Sequence, residues 1–193
     1  MGFKCCCLQQ QPSLILLTLN KNQNEKNNVN RCNHCNLFCA KYFCSNNQSA
    51  NLSKVFAAYL NLKNGLVAND AKMASASAKT MLDEIAKVPM DKMTAEQHTV
   101  WMKYTKKLSY DATHISEVAE LDHDREHFTS LSKNMYAVVK AFPSTTPVYY
   151  QFCPMTNENK GAYWLSELDK IHNPYYGDKM NGCSSTKETI RAK

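Results

Sequence analysis

The sequence predicts a mainly α-helical protein, an antiparallel four-helix up-and-down bundle followed by a small, loop-rich C-terminal lobe with a short β-strand or hairpin. Apolar residues recur with helical spacing in four consecutive segments between residues 52 and 141. Short polar breaks separate these segments, and short links favour antiparallel neighbours. After Pro147 the helical period ends, and aromatic and β-branched residues take its place.

Each of the four segments carries its own start or stop signal. Asp70 follows the first apolar run and is an N-cap candidate for the second. Thr94 and Gln97 have the spacing of a capping box, which opens the third helix, and Pro143 follows the fourth. We therefore predict helices over residues 52–68, 70–87, 94–118 and 122–141.

The C-terminal lobe has the local signals of a small hairpin. Residues 148–152 are rich in aromatic and β-branched side chains, which is typical of a strand. A turn is predicted over 157–161, leading into the apolar run 162–165. We expect one further short strand or helical turn in the rest of the lobe. Three aromatic residues are the expected anchors on the bundle: Trp164, Tyr175 and Tyr176.

Cysteine distribution divides the chain. Seven of the nine cysteines precede residue 45, within a stretch that is also rich in Asn and Lys. Cys32 and Cys35 have zinc-ligand spacing, but we favour a disordered, mis-started or degenerate secretion-signal region. The expected organisation is this region (1–50), the four-helix bundle (51–142) and a Cys/Met-containing lobe packed on the bundle (143–193).

Composition and motifs exclude several classes of function. The net charge of +6 comes from scattered Lys residues without an Arg cluster, so no nucleic-acid partner is expected. The longest apolar run, 14–17, is far too short to span a membrane. The folded region contains no phosphate-binding glycine loop, nucleophile elbow or His-Glu-x-x-His motif. We do not expect an enzyme; a thiol-dependent enzyme is the least favoured class.

The lobe contains four sulfur ligands. Cys153 and Met155 lie at its start, and Met180 and Cys183 near its end. Thiolate and thioether groups are the ligands that select Cu(I), and thiolates also bind zinc. We therefore predict a soft-metal site, with copper favoured and zinc as the alternative metal. The competing interpretation is a disulfide between Cys153 and Cys183, in a structural or interaction module that binds no metal.

Three histidines have the spacing of additional metal ligands. His123 and His127 are four residues apart and share one face of the fourth helix. His114 lies near the end of the preceding helix and is expected to approach them. The alternative is a solvated charged face, since acidic residues and Arg125 surround the pair.

The run YYQFCPM from Tyr149, with GAYWLS and NPYYGDKM after it, resembles the signature of a bacterial periplasmic domain of unknown function. That domain also occurs fused to adaptor subunits of copper and silver efflux pumps. The resemblance extends back to Leu52. It departs from the family pattern at Phe152, where a His is frequent, and around Cys183, where Met-Leu-x-Cys-Gly is usual. It implies a periplasmic or secreted protein that sequesters a heavy metal or delivers it to an efflux adaptor or another periplasmic protein.

Overall fold

The structure, a computed structural model, describes residues 52–142 and 144–192. These residues all fall within one compact unit. Our predictions for residues 1–50, including the Cys32/Cys35 zinc alternative, lie outside the described residues.

Four long helices account for more than half of the described residues. Their ends lie within one residue of the predicted bounds, so the mainly helical class is confirmed: α1 (Ser53–Val67), α2 (Ala71–Ala86), α3 (Ala95–Val118) and α4 (Leu121–Ala141). Local side chains explain two of the starts. The Asp70 carboxylate accepts a hydrogen bond from the Met73 N–H at 2.9 Å. Thr94 and Gln97 form the predicted capping box at the start of α3.

Consecutive helices pack against each other, α1 on α2, α2 on α3 and α3 on α4, with smaller contacts from α4 to α1 and α2. The apolar faces that meet between them are almost free of solvent. Tyr59, Leu66, Met81, Leu108 and Phe128 are among the fully buried side chains. The order of these contacts suits an up-and-down bundle, whereas the antiparallel direction of all four helices stays a prediction.

A three-stranded antiparallel sheet forms most of the C-terminal lobe. Its strands are β1 (Val148–Cys153), β2 (Ala162–Ser166) and β3 (Ser185–Ile190), in the order β2-β1-β3. The predicted strand and hairpin correspond to β1 and β2. The position of β3 was not predicted, because its six residues include one apolar side chain, Ile190, and alternate only between exposed and half-buried. Such a charged, polar strand is typical of a sheet edge.

Polar contacts and apolar packing together hold the lobe against the helices. Lys63 on α1 is 1% exposed and donates to Glu167, directly after β2, at 2.8 Å. On α4, Tyr136 and Lys140 both donate to Glu188 on β3, each at 2.6 Å. The expected anchors Trp164 and Tyr175 are buried, and Tyr176 is half-buried.

The shorter elements of the described residues are a helical turn at Thr156–Asn159 and 3-10 turns at Met90–Lys92 and Asp178–Cys183. Over residues 52–142 and 144–192, no helix combines the length and the apolar character needed to cross a bilayer.

The close approach of α1 and α2 depends on Gly65. A Cβ atom at this position would lie 2.7 Å from the backbone nitrogen of Ala74, which cannot move like the end of a side chain. We expect overpacking against this rigid backbone atom to cost Gly65→Ala about 3 kcal/mol, of which Ala regains roughly 1 kcal/mol by its helix propensity, so the net destabilisation is about 2 kcal/mol. The melting temperature should fall by about 2–4 °C per kcal/mol.

Gly182→Ala is the matched control, since no atom lies within 4 Å of a Cβ built there. Its melting temperature should equal that of the parent. An unchanged or higher melting temperature for Gly65→Ala would show that α1 and α2 are farther apart than described.

Candidate metal centre

Three histidines converge between α3 and α4. His114 lies on α3, and His123 and His127 lie on α4. One ring nitrogen of each lies within 4.8 Å of the other two, and all three residues are half-buried. The rings of His114 and His127 stack with centroids 4.6 Å apart, and those of His123 and His127 are 4.7 Å apart. Among the described residues, this is the only group of three or more His, Cys, Asp or Glu with metal-ligand proximity.

The local sequence accounts for this convergence. His123 and His127 are one helical turn apart, so they share a face of α4. Only two residues separate α3 from α4, and Ala119 adopts the left-handed conformation (φ 52°) at the end of α3. Because the link is so short, the last turns of α3 lie beside the first turns of α4. The predicted approach of His114 to the pair is thus present in the structure.

Two carboxylates lie behind the histidines. The Oδ1 atom of Asp111 on α3 is 3.3 Å from Nδ1 of His127. The Oδ1 atom of Asp124 on α4 is 3.9 Å from Nδ1 of His123. Both carboxylates are buried, with exposed fractions of 4% and 0%. Since Nδ1 of two histidines faces a carboxylate, their Nε2 atoms are the ones available to a metal, as in carboxylate–histidine–zinc arrangements.

Asp124 and His123 lack full hydrogen-bond satisfaction. Neither carboxylate oxygen of Asp124 has a hydrogen-bond partner, and neither does the buried Nδ1 of His123. Burial raises the pKa of the Asp124 carboxyl above its ordinary value. Unpaired buried polar groups are uncommon and costly, so they require an explanation such as a missing ion. The donor set and these unpaired atoms together fit a bound metal ion.

Sequence reasoning did not identify Asp111, Asp124 or Tyr110 as part of this group. Tyr110 is 60% exposed and borders it, with its ring centroid 4.5 Å from that of His114. The alternative of a solvated charged face around the histidine pair does not hold for Asp124, which is fully buried, whereas Asp122 on the same turn is 93% exposed. The available signal was the position of Asp111, three residues before His114 and so on the same side of α3.

The four residues predicted to be sulfur ligands lie in the lobe, and neither cysteine belongs to the histidine group. Cys153 ends β1 and is fully buried, while Met155, two residues later, is 43% exposed. Met180 is half-buried and Cys183 is exposed, both in the turn Asp178–Cys183. Both cysteines are free thiols in the structure. A shared metal site for these four residues stays a prediction.

Polar groups surround the Cys153 sulfur. Burial acts to raise the pKa of this thiol, but the polar groups of the Thr156 side chain, the Met155 backbone and the side chains of Asn173 and Ser184 lower it overall. Asn173 is itself fully buried and also contacts the Met180 carbonyl oxygen at 3.4 Å. The surroundings of Cys153 therefore favour the thiolate, the form that binds metals.

The chain is strained directly after this cysteine. Asn157, Glu158 and Asn159 all have positive φ, so Thr156–Asn159 forms a left-handed turn. Left-handed backbone costs roughly 1–2 kcal/mol per residue with a side chain, less for Asn than for Glu. Gly161 closes the turn with φ 77°, and a Cβ there would lie 2.3 Å from the Phe152 ring. The predicted turn over 157–161 is confirmed, and its strain lies next to the cysteine–proline–methionine segment.

Residues 55–146 match the model of a family described as protein of unknown function (DUF3347). The match covers most of α1 and all of α2, α3 and α4, hence the three histidines, but it ends before β1 and the sulfur ligands. No curated protein and no solved structure matches the chain. The family match supports the expected domain of unknown function. The expected links to efflux adaptors and to the periplasm stay predictions.

The two folded-region cysteines should differ sharply in reactivity. Cys183 is exposed and Cys153 is fully buried, so iodoacetamide should modify Cys183 in the native protein, and Cys153 only after unfolding. Peptide mapping by mass spectrometry resolves the two sites. Equal native labelling rates would contradict the closed packing of β1 and the turn Asp178–Cys183.

Proposed function

We propose that this protein binds a transition-metal ion and that His114, His123 and His127 are its ligands. The observation that carries this proposal is the convergence of three imidazoles, two of which have Nδ1 facing a buried carboxylate. A purely structural pair of helices gains nothing from burying an unpaired carboxylate, and apolar side chains would be more stable there. A positive ion bound at the Nε2 atoms would polarise the His123 ring toward Asp124 and so offset the negative charge of the buried carboxylate.

Copper is the favoured metal and zinc the alternative. Imidazole nitrogen suits copper, zinc and nickel, and a site of nitrogen and oxygen donors binds Cu(II) more tightly than the other divalent ions of the first row. Three protein ligands on half-exposed rings leave a coordination position open to solvent or to another donor. An ion held in this way is accessible for exchange, which supports sequestration or delivery.

The resemblance of the sequence to a bacterial periplasmic domain extends this proposal to a biological setting. We propose a periplasmic or secreted protein that sequesters a heavy metal or delivers it to an efflux-pump adaptor or another periplasmic protein. The resemblance through the cysteine–proline–methionine segment supports that setting, and the family match over residues 55–146 is compatible with it. We retain the antiparallel bundle in this proposal, because neighbouring α3 and α4 then present the three histidines to one ion.

A second, softer ligand set is proposed for the lobe. The side chain of Asn173 faces the Cys153 sulfur and also contacts the Met180 carbonyl oxygen, so these residues lie in one neighbourhood. Cys153, Met155, Met180 and Cys183 would supply the sulfur donors that Cu(I) prefers. The competing function is a structural or interaction module in which Cys153 and Cys183 form a disulfide under oxidising conditions and no metal binds.

Removing two histidines should abolish the proposed site. We expect the full-length parent, with its accessible thiols blocked by iodoacetamide, to bind one Cu(II) or Zn(II) ion that His123→Ala/His127→Ala does not bind. The loss in affinity should exceed the roughly 10–100-fold that the loss of an outer partner costs. Isothermal titration calorimetry gives the affinity, and native mass spectrometry gives the stoichiometry.

His98→Ala is the matched control, because His98 is an exposed histidine on α3 outside the group. It should bind as the parent does. Equal stoichiometry and affinity in the double variant and the parent would refute the histidine site.

The soft ligand set is tested separately with Cu(I) under reducing conditions. We expect Cys153→Ser to take up one Cu(I) equivalent fewer than the parent in competition with a Cu(I) chelator, with its helical circular dichroism unchanged. Affinity in the parent should rise with pH across the thiol range, since the thiolate is the ligand. Parent-like uptake by both Cys153→Ser and Cys183→Ser would make the lobe structural.

A further inference from the structure

Asp124 is the most deeply buried acidic residue beside the histidine group. Its side chain is 0% exposed, and neither of its oxygens has a hydrogen-bond partner. Asp122, two residues earlier on the same helix, is 93% exposed and lies 3.8 Å from Arg125. The burial of Asp124 is therefore specific to its position between the helices and is not shared by its acidic neighbour.

Among residues 52–142 and 144–192, no lysine or arginine forms an ion pair with Asp124. The nearest cationic residue in sequence, Arg125, donates to the carbonyl oxygens of Pro174 and Leu66 and to the Asn69 side chain. The ion pair described for Asp124 is the 3.9 Å approach to Nδ1 of His123, and this imidazole is charged only when protonated. A buried carboxylate without a cation is costly. Binding of a metal ion by the histidines would offset this cost.

We infer that Asp124 is a positioning residue that, acting through His123, makes the histidine site selective for a divalent ion over a monovalent one. This inference rests on the proposed function. It adds to that function a preference for divalent ions, and it names the residue that determines this preference.

Charge balance is the physical reason. Imidazole is a neutral ligand when it binds a metal, so the buried carboxylates of Asp111 and Asp124 are the groups beside the histidines whose charges can balance the charge of the ion. A divalent ion such as Cu(II) or Zn(II) balances these charges, and Cu(I) leaves one of them uncompensated. Because the two carboxylates are buried, the uncompensated negative charge is screened less than it would be at the surface. The charge of Asp124 acts on the ion through His123, because the Nδ1 atom of this ring lies 3.9 Å from the carboxylate.

Asp124→Asn separates this role from a merely structural one. With Cys153→Ser and Cys183→Ser in the background and the remaining thiols alkylated by iodoacetamide, we expect Asp124→Asn to lower the affinity for Zn(II) and Cu(II) about 10–100-fold, with a much smaller change for Cu(I). Its metal-free melting temperature should be unchanged or higher, because a buried unpaired charge is removed. Asp122→Asn, at the exposed neighbour, should match the parent in all three measurements. Calorimetry with the metal ions, chelator competition for Cu(I) and thermal unfolding of the metal-free protein provide the readouts.

The possible results are distinguishable. Parent-like divalent affinity in Asp124→Asn, together with lost binding in His123→Ala/His127→Ala, overturns this inference and leaves the proposed function intact. Equal losses of divalent and monovalent affinity also overturn it. Retained binding in the histidine double variant overturns the proposed function itself. If Asp124→Asn does not fold, Asp111→Asn removes the other buried carboxylate and should lower selectivity for divalent ions in the same direction; unchanged selectivity there overturns the inference.

Discussion

The hydroxyl group of Tyr59 connects α1 with α4 and with β2, and the arrangement of the rest of the structure depends on this connection. It lies 2.8 Å from the Ser132 hydroxyl on α4 and accepts a hydrogen bond from the Leu165 N–H on β2 at 3.1 Å. Tyr59 is 0% exposed, and its ring stacks on Phe128 of α4. Burial raises the pKa of this phenol far above its ordinary value, so it stays neutral. A single α1 side chain therefore fixes both the position of α4 and the docking of the sheet.

The position of α4 in turn places the candidate metal centre. Phe128 faces the Tyr59 core, while the neighbouring His127 faces α3. Apolar packing on one side of α4 therefore fixes the rotation of this helix about its own axis. The histidines then lie on the side that faces α3. Metal sites built on packed helices hold their ligands more accurately than sites on loops.

Local rules predicted most of the helical part. The capping box of Thr94 and the four-residue spacing of His123 and His127 depend only on helix geometry, and both are present. The burial of Asp124 could not be predicted, because it depends on how α4 is rotated against α3. Likewise, β3 has no hydrophobic alternation and becomes a strand only because β1 offers it an edge. The contrast between buried Cys153 and exposed Cys183 also arises from tertiary packing.

The three histidines lie on two different helices, so binding of a metal ion by all three would be linked to the unfolding equilibrium of the chain. If an ion is bound by ligands from both α3 and α4, then it favours the folded chain over the unfolded one by mass action. At a free ion concentration one hundred times the dissociation constant, this contribution is about 2.7 kcal/mol. The lifetime of the protein in a cell would then follow the local supply of its own cargo, because empty copies open and meet proteases more often than loaded ones.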